Sequence, residues 1–238
     1  MNCDRGTHKV PEIVLIRHAQ SANNAGPDHA RKPDPALTEL GEKQAELTGQ
    51  WLRSVGIDQL YCSPFLRSLL TAQAIAEHHT APVFIRPDLC EQGGCYSGHE
   101  GTTKRGAPGM NREQIKQRFP NWGMHESIDE RGWWHGDYET LPEAEERTRT
   151  VIDWIASRHG NQEGRIVFVI HADFKRRILE AILPIRREHM PSSGLEVGPL
   201  SNTSVTRLSL VPGSDSTPQW VVQSLNSTSH LPESLWTT

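Results

Sequence analysis

Two histidines, two arginines and a glutamate stand where they could handle a phosphoryl group. Arg17-His18 directly follows the apolar run Ile13 to Ile16, and His171 directly follows another, Arg165 to Ile170. Arg67 lies in the first turn of an amphipathic stretch that follows an apolar segment ending at Cys62, and Glu91 comes after the short run Pro82 to Arg86. Short apolar runs rich in branched residues suit strands buried on both faces. Ligands of open α/β sheets bind outside the carboxyl ends of such strands. Two arginines and two histidines gathered at one rim repel one another unless an anion lies among them, and guanidinium forks match phosphate oxygens bidentately. Phosphoryl transfer needs charge neutralisation, a nucleophile and an acid for the leaving oxygen, and this set contains each.

The elements that must position these residues can be read from periodicity. Leu40, Gln44, Leu47, Trp51 and Val55 recur at helical spacing, which predicts a helix from Thr38 to about Val55 that stops at Gly56. Ile57 to Cys62 reads as a second strand. Ser63-Pro64 then opens a helix with serine as cap and proline in the first turn, its buried stripe being Leu66, Leu69, Leu70 and Ala74. Pro82 to Arg86 is a third strand. Thr140-Leu-Pro-Glu143 is a capping box before a helix whose stripe is Ala144, Thr148, Val151, Ile152 and Ile155. Arg165 to Ile170 is a further strand, followed by a helix from Phe174 to Leu183 that Pro184 closes. Ser204 to Leu210 and Trp220 to Leu225 complete the set. The alternation predicts an α/β fold, three-layer α/β/α with a mostly parallel central sheet.

The 238 residues fit a single domain. The stretch 92–139 carries Trp122, Trp133 and Trp134 and only one modest helical pattern, near Arg112 to Phe119, so it reads as a cap-like insertion over the site. Trp133 and Trp134 are read as core of that loop in preference to ligand-stacking residues. Lys104, Arg105, Lys175, Arg176 and Arg177 are read as a solvated charged face and stand outside the site. A net charge of -4 offers no general attraction for nucleic acid or anionic lipid. Cys3, Cys62, Cys90 and Cys95 show no paired spacing, which predicts reduced thiols and neither disulfides nor zinc. Without a secretory leader or a long apolar run, the expectation is a soluble cytoplasmic protein. No metal or other cofactor is implied; an arginine beside His18 opposes a cation there.

Leu15-Ile-Arg-His-Ala-Gln-Ser21 resembles the RHG signature of the histidine phosphatase, or phosphoglycerate-mutase-like, superfamily, with Asn24 matching the asparagine that follows it. Leu37-Thr38-x-x-Gly41-x-x-Gln44-Ala45 resembles the family's first long helix, and Ser63-Pro64-x-x-Arg67-x-x-x-Thr71-Ala72 its second arginine motif. Leu89-x-Glu91 is similar to the general-acid segment, Glu139-Thr140 with Arg147 to the ES…R segment, and Val169-Ile-His-Ala172 to the second-histidine motif. Asn226 to Leu231 resembles the closing strand. Ala19 and Ala172-Asp173 stand where glycines are usual; were positive φ needed there, alanine would be strained.

The resemblance implies a phosphomonoesterase acting on a small phosphorylated substrate. His18 forms the phosphohistidine and Glu91 is the proton donor. Arg17, Asn24, Arg67 and His171 hold the phosphoryl oxygens. The alternatives are a phosphoglycerate mutase-type phosphotransferase, whose characteristic stretch after the acid residue is not resembled by residues 91–122, and a non-catalytic phospho-ligand binding module, against which stands the presence of every reactive residue. The residues leave the substrate and the oligomeric state open.

Overall fold

Alternate residues of the central strands face opposite helical layers. The computed structural model describes residues 10–98, 103–183, 198–213 and 218–238. Cys3 and the stop expected at Pro184 lie outside them. The strands are β1 (Pro11–Arg17), β2 (Gln59–Cys62), β3 (Val83–Ile85), β4 (Tyr96–Ser97), β5 (Arg105–Gly106), β6 (Gly123–Met124), β7 (Gly164–Ile170), β8 (Val205–Pro212) and β9 (Pro218–Ser227). The helices are α1 (Ala22–Ala25), α2 (Glu39–Val55), α3 (Leu66–Ala76), α4 (Arg112–Arg118), α5 (Leu141–His159) and α6 (Ala172–Ile182).

Seven strands form one sheet in the order β6-β3-β2-β7-β1-β8-β9. The first five are mutually parallel, whereas β8 runs antiparallel to β1 and β9 antiparallel to β8. Val14, Ile16, Val167 and Val169 pack with Leu52 of α2 and Leu69 and Ile75 of α3. Ile13, Leu15, Ile166, Phe168 and Ile170 pack on the other face with Val151 and Ile155 of α5 and Phe174 and Ile178 of α6. The two-residue period of the strands thus makes the three layers. Truncating a central residue such as Ile16 to alanine would cost about 2–5 kcal/mol.

Register then places the chemistry. Arg17 pairs with Ile170 across β1 and β7, so His18 and His171 leave the sheet side by side. Gly41 lets α2 close on the signature loop, because a Cβ there would come within 2.0 Å of the Gln20 carbonyl oxygen. Thr38 caps α2, its Oγ1 accepting from Gly41 N at 3.0 Å, and Gly56 ends it at φ 75°.

Several readings of the sequence change. The stripe that α3 buries is Arg67, Ser68, Leu69, Thr71, Ala72 and Ile75, while Leu66, Leu70 and Ala74 are only partly buried. The helix expected at Ser63-Pro64 starts at Leu66 after extended Phe65, because the Ser63 hydroxyl is engaged with His171 and the Asp34 carboxylate accepts from Leu66 N at 2.7 Å instead. The closing strand is Pro218–Ser227 and not Asn226 to Leu231; Asn226 lies within it at φ 51°, and Ser227 still pairs with Val205. Lys175 is no part of a solvated face: it is fully buried, and its Nζ donates to the Ser204 carbonyl at 2.8 Å and hydroxyl at 3.2 Å. Its neighbours Arg176 and Arg177 do pair on the surface of α6, with Asp173 and Glu180.

The stretch 92–139 contains α4 and the small β4-β5 ribbon, and it also lends β6 to the sheet beside β3. Trp133 is buried edge-on against Phe65, ring centroids 4.7 Å apart, and so belongs to the main core. Lys104 lies over the rings of Tyr138 and Tyr96.

Candidate active site

His18 sits just past the end of β1, its N–H donating to the Ile170 carbonyl at 2.8 Å. Its Nδ1 is 2.7 Å from the Ala19 carbonyl oxygen, which can only accept, so Nδ1 carries the ring proton. The lone pair is therefore on Nε2, and Arg67 Nε donates to it at 3.1 Å. Burial, Arg67 and Arg17 hold the pKa of His18 well below the ordinary imidazole range. The ring is thus a neutral base with its electrons directed at a guanidinium.

Arg67 belongs to the first turn of α3, and its guanidinium carbon lies 4.0 Å over the Phe65 ring. The opposite rim holds Arg17, which donates from Nη1 to the Leu200 carbonyl and keeps a buried Nε without a partner among the described residues. His171 caps α6 with its ring centroid 5.0 Å from that of His18. Its Nε2 lies 2.8 Å from Ser63 Oγ and 3.3 Å from Ser68 Oγ, while Nδ1 is buried and unpartnered among the described residues. The orphaned Nε–H of Arg17 is a group that burial penalises until an acceptor arrives.

Glu91 reaches the same rim from the loop after β3. Its Oε1 accepts from Phe174 N and Gln92 N, each at 2.9 Å, at the start of α6. Burial of the carboxyl and the nearby Asp173 push its pKa up, against downward pulls from the Phe174 N–H, Arg67 and the Gln92 N–H. A buried ion pair fixes that loop. Arg147 donates from Nε and Nη2 to the Glu139 carboxylate, both at 2.7 Å, and from Nη1 to the carbonyls of Asp88 and Cys90. Asn24 is held by its Oδ1, which accepts from the backbone and hydroxyl of Ser21, leaving its amide nitrogen available.

Every site residue expected from the sequence lies at this rim. Neither Ala19 nor Ala172 needs positive φ, since the described non-glycine residues with positive φ are Thr203 and Asn226. The sequence reading overlooked a strap before β8. Leu200 receives Arg17, and Asn202 Nδ2 donates to the His18 carbonyl at 3.0 Å. Thr203, at φ 52°, donates its N–H to the Arg17 carbonyl at 3.1 Å. Because β8 is antiparallel to β1, its first residues fall at the carboxyl rim; reading that direction would have flagged Asn202-Thr203-Ser204. Asp34 was also missed. Burial raises its pKa to about 6, against the pull of Arg67.

An open cleft stands over Arg67 and Glu91, walled by Arg31, Lys32 and Tyr96. Cys62, Cys90 and Cys95 are buried free thiols, and burial raises Cys90 and Cys95 to about 12. No helix among the described residues is long and apolar enough to cross a membrane.

The layered sheet with arginines and histidines at its carboxyl rim defines an α/β enzyme of phosphoryl transfer. The sequence pattern of the histidine phosphatase superfamily, branch 1, matches residues 13–226, and the chain belongs to that superfamily. It is 29% identical over 182 residues to phosphoserine phosphatase 1 of Hydrogenobacter thermophilus, covering 73% of this chain and 77% of that one. It is 27% identical over 224 residues to phosphoglycerate mutase-like protein 4 of Arabidopsis thaliana, covering 93% and 87%. A solved mycobacterial glucosyl-3-phosphoglycerate phosphatase shares the fold at a TM-score of 0.62 with 21% identity, covering 91% of this chain and 99% of that one. The chain is accordingly an enzyme of the phosphatase kind, with a 2,3-bisphosphoglycerate-dependent phosphoglycerate mutase also among its relatives.

Proposed function

We propose that this protein hydrolyses a small phosphomonoester through a phosphohistidine on His18, with Glu91 as proton donor. The observation that carries the proposal is the neutral His18 ring with Nδ1 tied to Ala19 and its Nε2 lone pair held by Arg67. Substrate entry exchanges the Arg67–Nε2 bond for phosphorus at Nε2, and the freed N–H groups of Arg67 turn to the phosphoryl oxygens. The unpartnered Arg17 Nε, His171 Nδ1 and Asn24 amide supply further donors.

In the first step an Nε2–P bond forms and the ester P–O bond breaks as Glu91 delivers its proton to the leaving oxygen. The alcohol departs. In the second, ionised Glu91 takes a proton from water, the water oxygen bonds to phosphorus and the N–P bond breaks. Every acid and base in this cycle is a side chain of the chain itself.

We place the stretch 92–139 as a cap within a single domain, and the buried thiols support a reducing, cytoplasmic setting. Screening phosphorylated metabolites against wild type and His18→Ala tests the proposal. Phosphate release from at least one by wild type alone is the expected result, and equal release by both proteins refutes it. Transfer of the phosphoryl group to a second hydroxyl in place of water would identify a mutase.

A further inference from the structure

Resting on the phosphatase reading, we infer that the alcohol portion of the substrate carries a second negative group, a carboxylate or a second phosphate, received by Arg31 and Lys32. Glu91 serves the leaving oxygen and shares the lining of the open cleft with Arg67, so the alcohol portion occupies that cleft.

Its outer wall is cationic and held in place. Asn23 Nδ2 donates to the Lys32 carbonyl at 2.8 Å, and Lys32 N donates back to Asn23 Oδ1 at 3.0 Å. This reciprocal pair fixes the backbone that presents both cations. Neither has a strong partner. Arg31 approaches Asp28 at 3.5 Å with both side chains exposed, and the Lys32 ammonium makes no ion pair among the described residues. A chain of net charge -4 that turns two adjacent, underused cations toward the exit of its leaving group is built for an anionic leaving group.

Four of the cations read from the sequence as a charged face are engaged elsewhere. Lys104 lies on two tyrosines, Arg176 and Arg177 pair within α6, and Lys175 is buried on Ser204.

The test compares kcat/KM for phosphoglycolate against ethyl phosphate, and for a hexose bisphosphate against the hexose monophosphate. A preference of about tenfold or more for the more anionic member of one pair is expected, the size of one charge-assisted hydrogen bond. The pair that shows it tells carboxylate from phosphate. In the double variant Arg31→Gln/Lys32→Gln the preference collapses to within about threefold, as lost charge-assisted bonds require. Absence of preference in both pairs, or a preference unmoved in the double variant, overturns the inference. Calorimetric binding of the same four compounds to His18→Ala protein reads the preference without turnover. Preferential binding with no phosphate release from wild type would sink the phosphatase reading alone; release without preference would sink this inference alone.

Discussion

The Nε–H of Arg67 meets the Nε2 lone pair of His18 across 3.1 Å, so the cation that would neutralise a phosphoryl group also marks where the nucleophile's electrons lie. That relation depends on a planar donor reaching from the first turn of α3 while stacked on Phe65. Arg67→Lys keeps the charge and loses both features. We expect kcat/KM to fall about 100-fold or more, as when one transition-state donor is removed. Steady-state kinetics beside a thermal melt will separate this from a folding defect; activity within a fewfold of wild type would show that the fork is dispensable.

Glu91→Gln removes a proton donor while keeping the hydrogen bonds to Phe174 N and Gln92 N within reach. In the first turnover, cleavage of an alkyl phosphate should slow about 100-fold or more, whereas release of dinitrophenol from dinitrophenyl phosphate, whose leaving oxygen needs no proton, should slow far less; hydrolysis of the phosphohistidine, which uses Glu91 as base, should slow for both. The pH profile carries the same signature. The raised pKa of Glu91 keeps it protonated to higher pH than an ordinary glutamate, so activity falls as pH rises through that value and the fall is absent in the variant. On the acid side, the lowered pKa of His18 keeps it unprotonated down to below the usual imidazole range. A pH profile unchanged by Glu91→Gln would remove the acid role.

Lys175 gives a stability prediction. Burial first, and Arg17 second, hold its pKa in the folded chain well below 10.5. The unfolded chain therefore binds the extra proton more readily, and stability must rise with pH from the folded value up to the ordinary lysine value. Urea denaturation of wild type and Lys175→Met across that range checks this: the variant should lack the part of the slope that wild type owes to this residue. Parallel slopes would mean that Lys175 is charged in the folded protein.

Arg147→Met strands the Glu139 carboxylate in a buried site and frees the carbonyls of Asp88 and Cys90 that hold the Glu91 loop. The expected loss of stability is about 3–5 kcal/mol, typical of breaking a buried ion pair on one side. Denaturant midpoints measure it, and activity should fall further than the folded fraction does. A midpoint shift without that extra loss would make the pair purely structural.

The sequence showed what is carried by residue type and period. Apolar runs ending in Arg17-His18 and His171, the helical period of α2 and the Thr140–Glu143 capping box all became the elements they suggested, although α2 buries Gly41, Ala45, Thr48 and Leu52 beside Gln44 and leaves Val55 exposed. What it hid acts through backbone atoms or distant partners. The Leu200 carbonyl, the Ser204 carbonyl and the left-handed Thr203 leave no trace in composition, and Asp34 meets the start of α3 from 32 residues away. Lys175 misled because a charged residue on a helix usually faces water. The carbonyl and hydroxyl of Ser204, just before β8, show why this one does not. Ser63 misled similarly, a good cap by type whose hydroxyl is engaged with His171 instead.

Rapid mixing of the protein with a turned-over phosphomonoester, quenching within milliseconds and mapping phosphorylated peptides by mass tests the central claim most directly. A phosphoryl group on the imidazole of His18, formed before free phosphate appears and lost as phosphate accumulates, is the result a phosphohistidine mechanism requires. Turnover with His18 unmodified, or with the label on another residue, would contradict it.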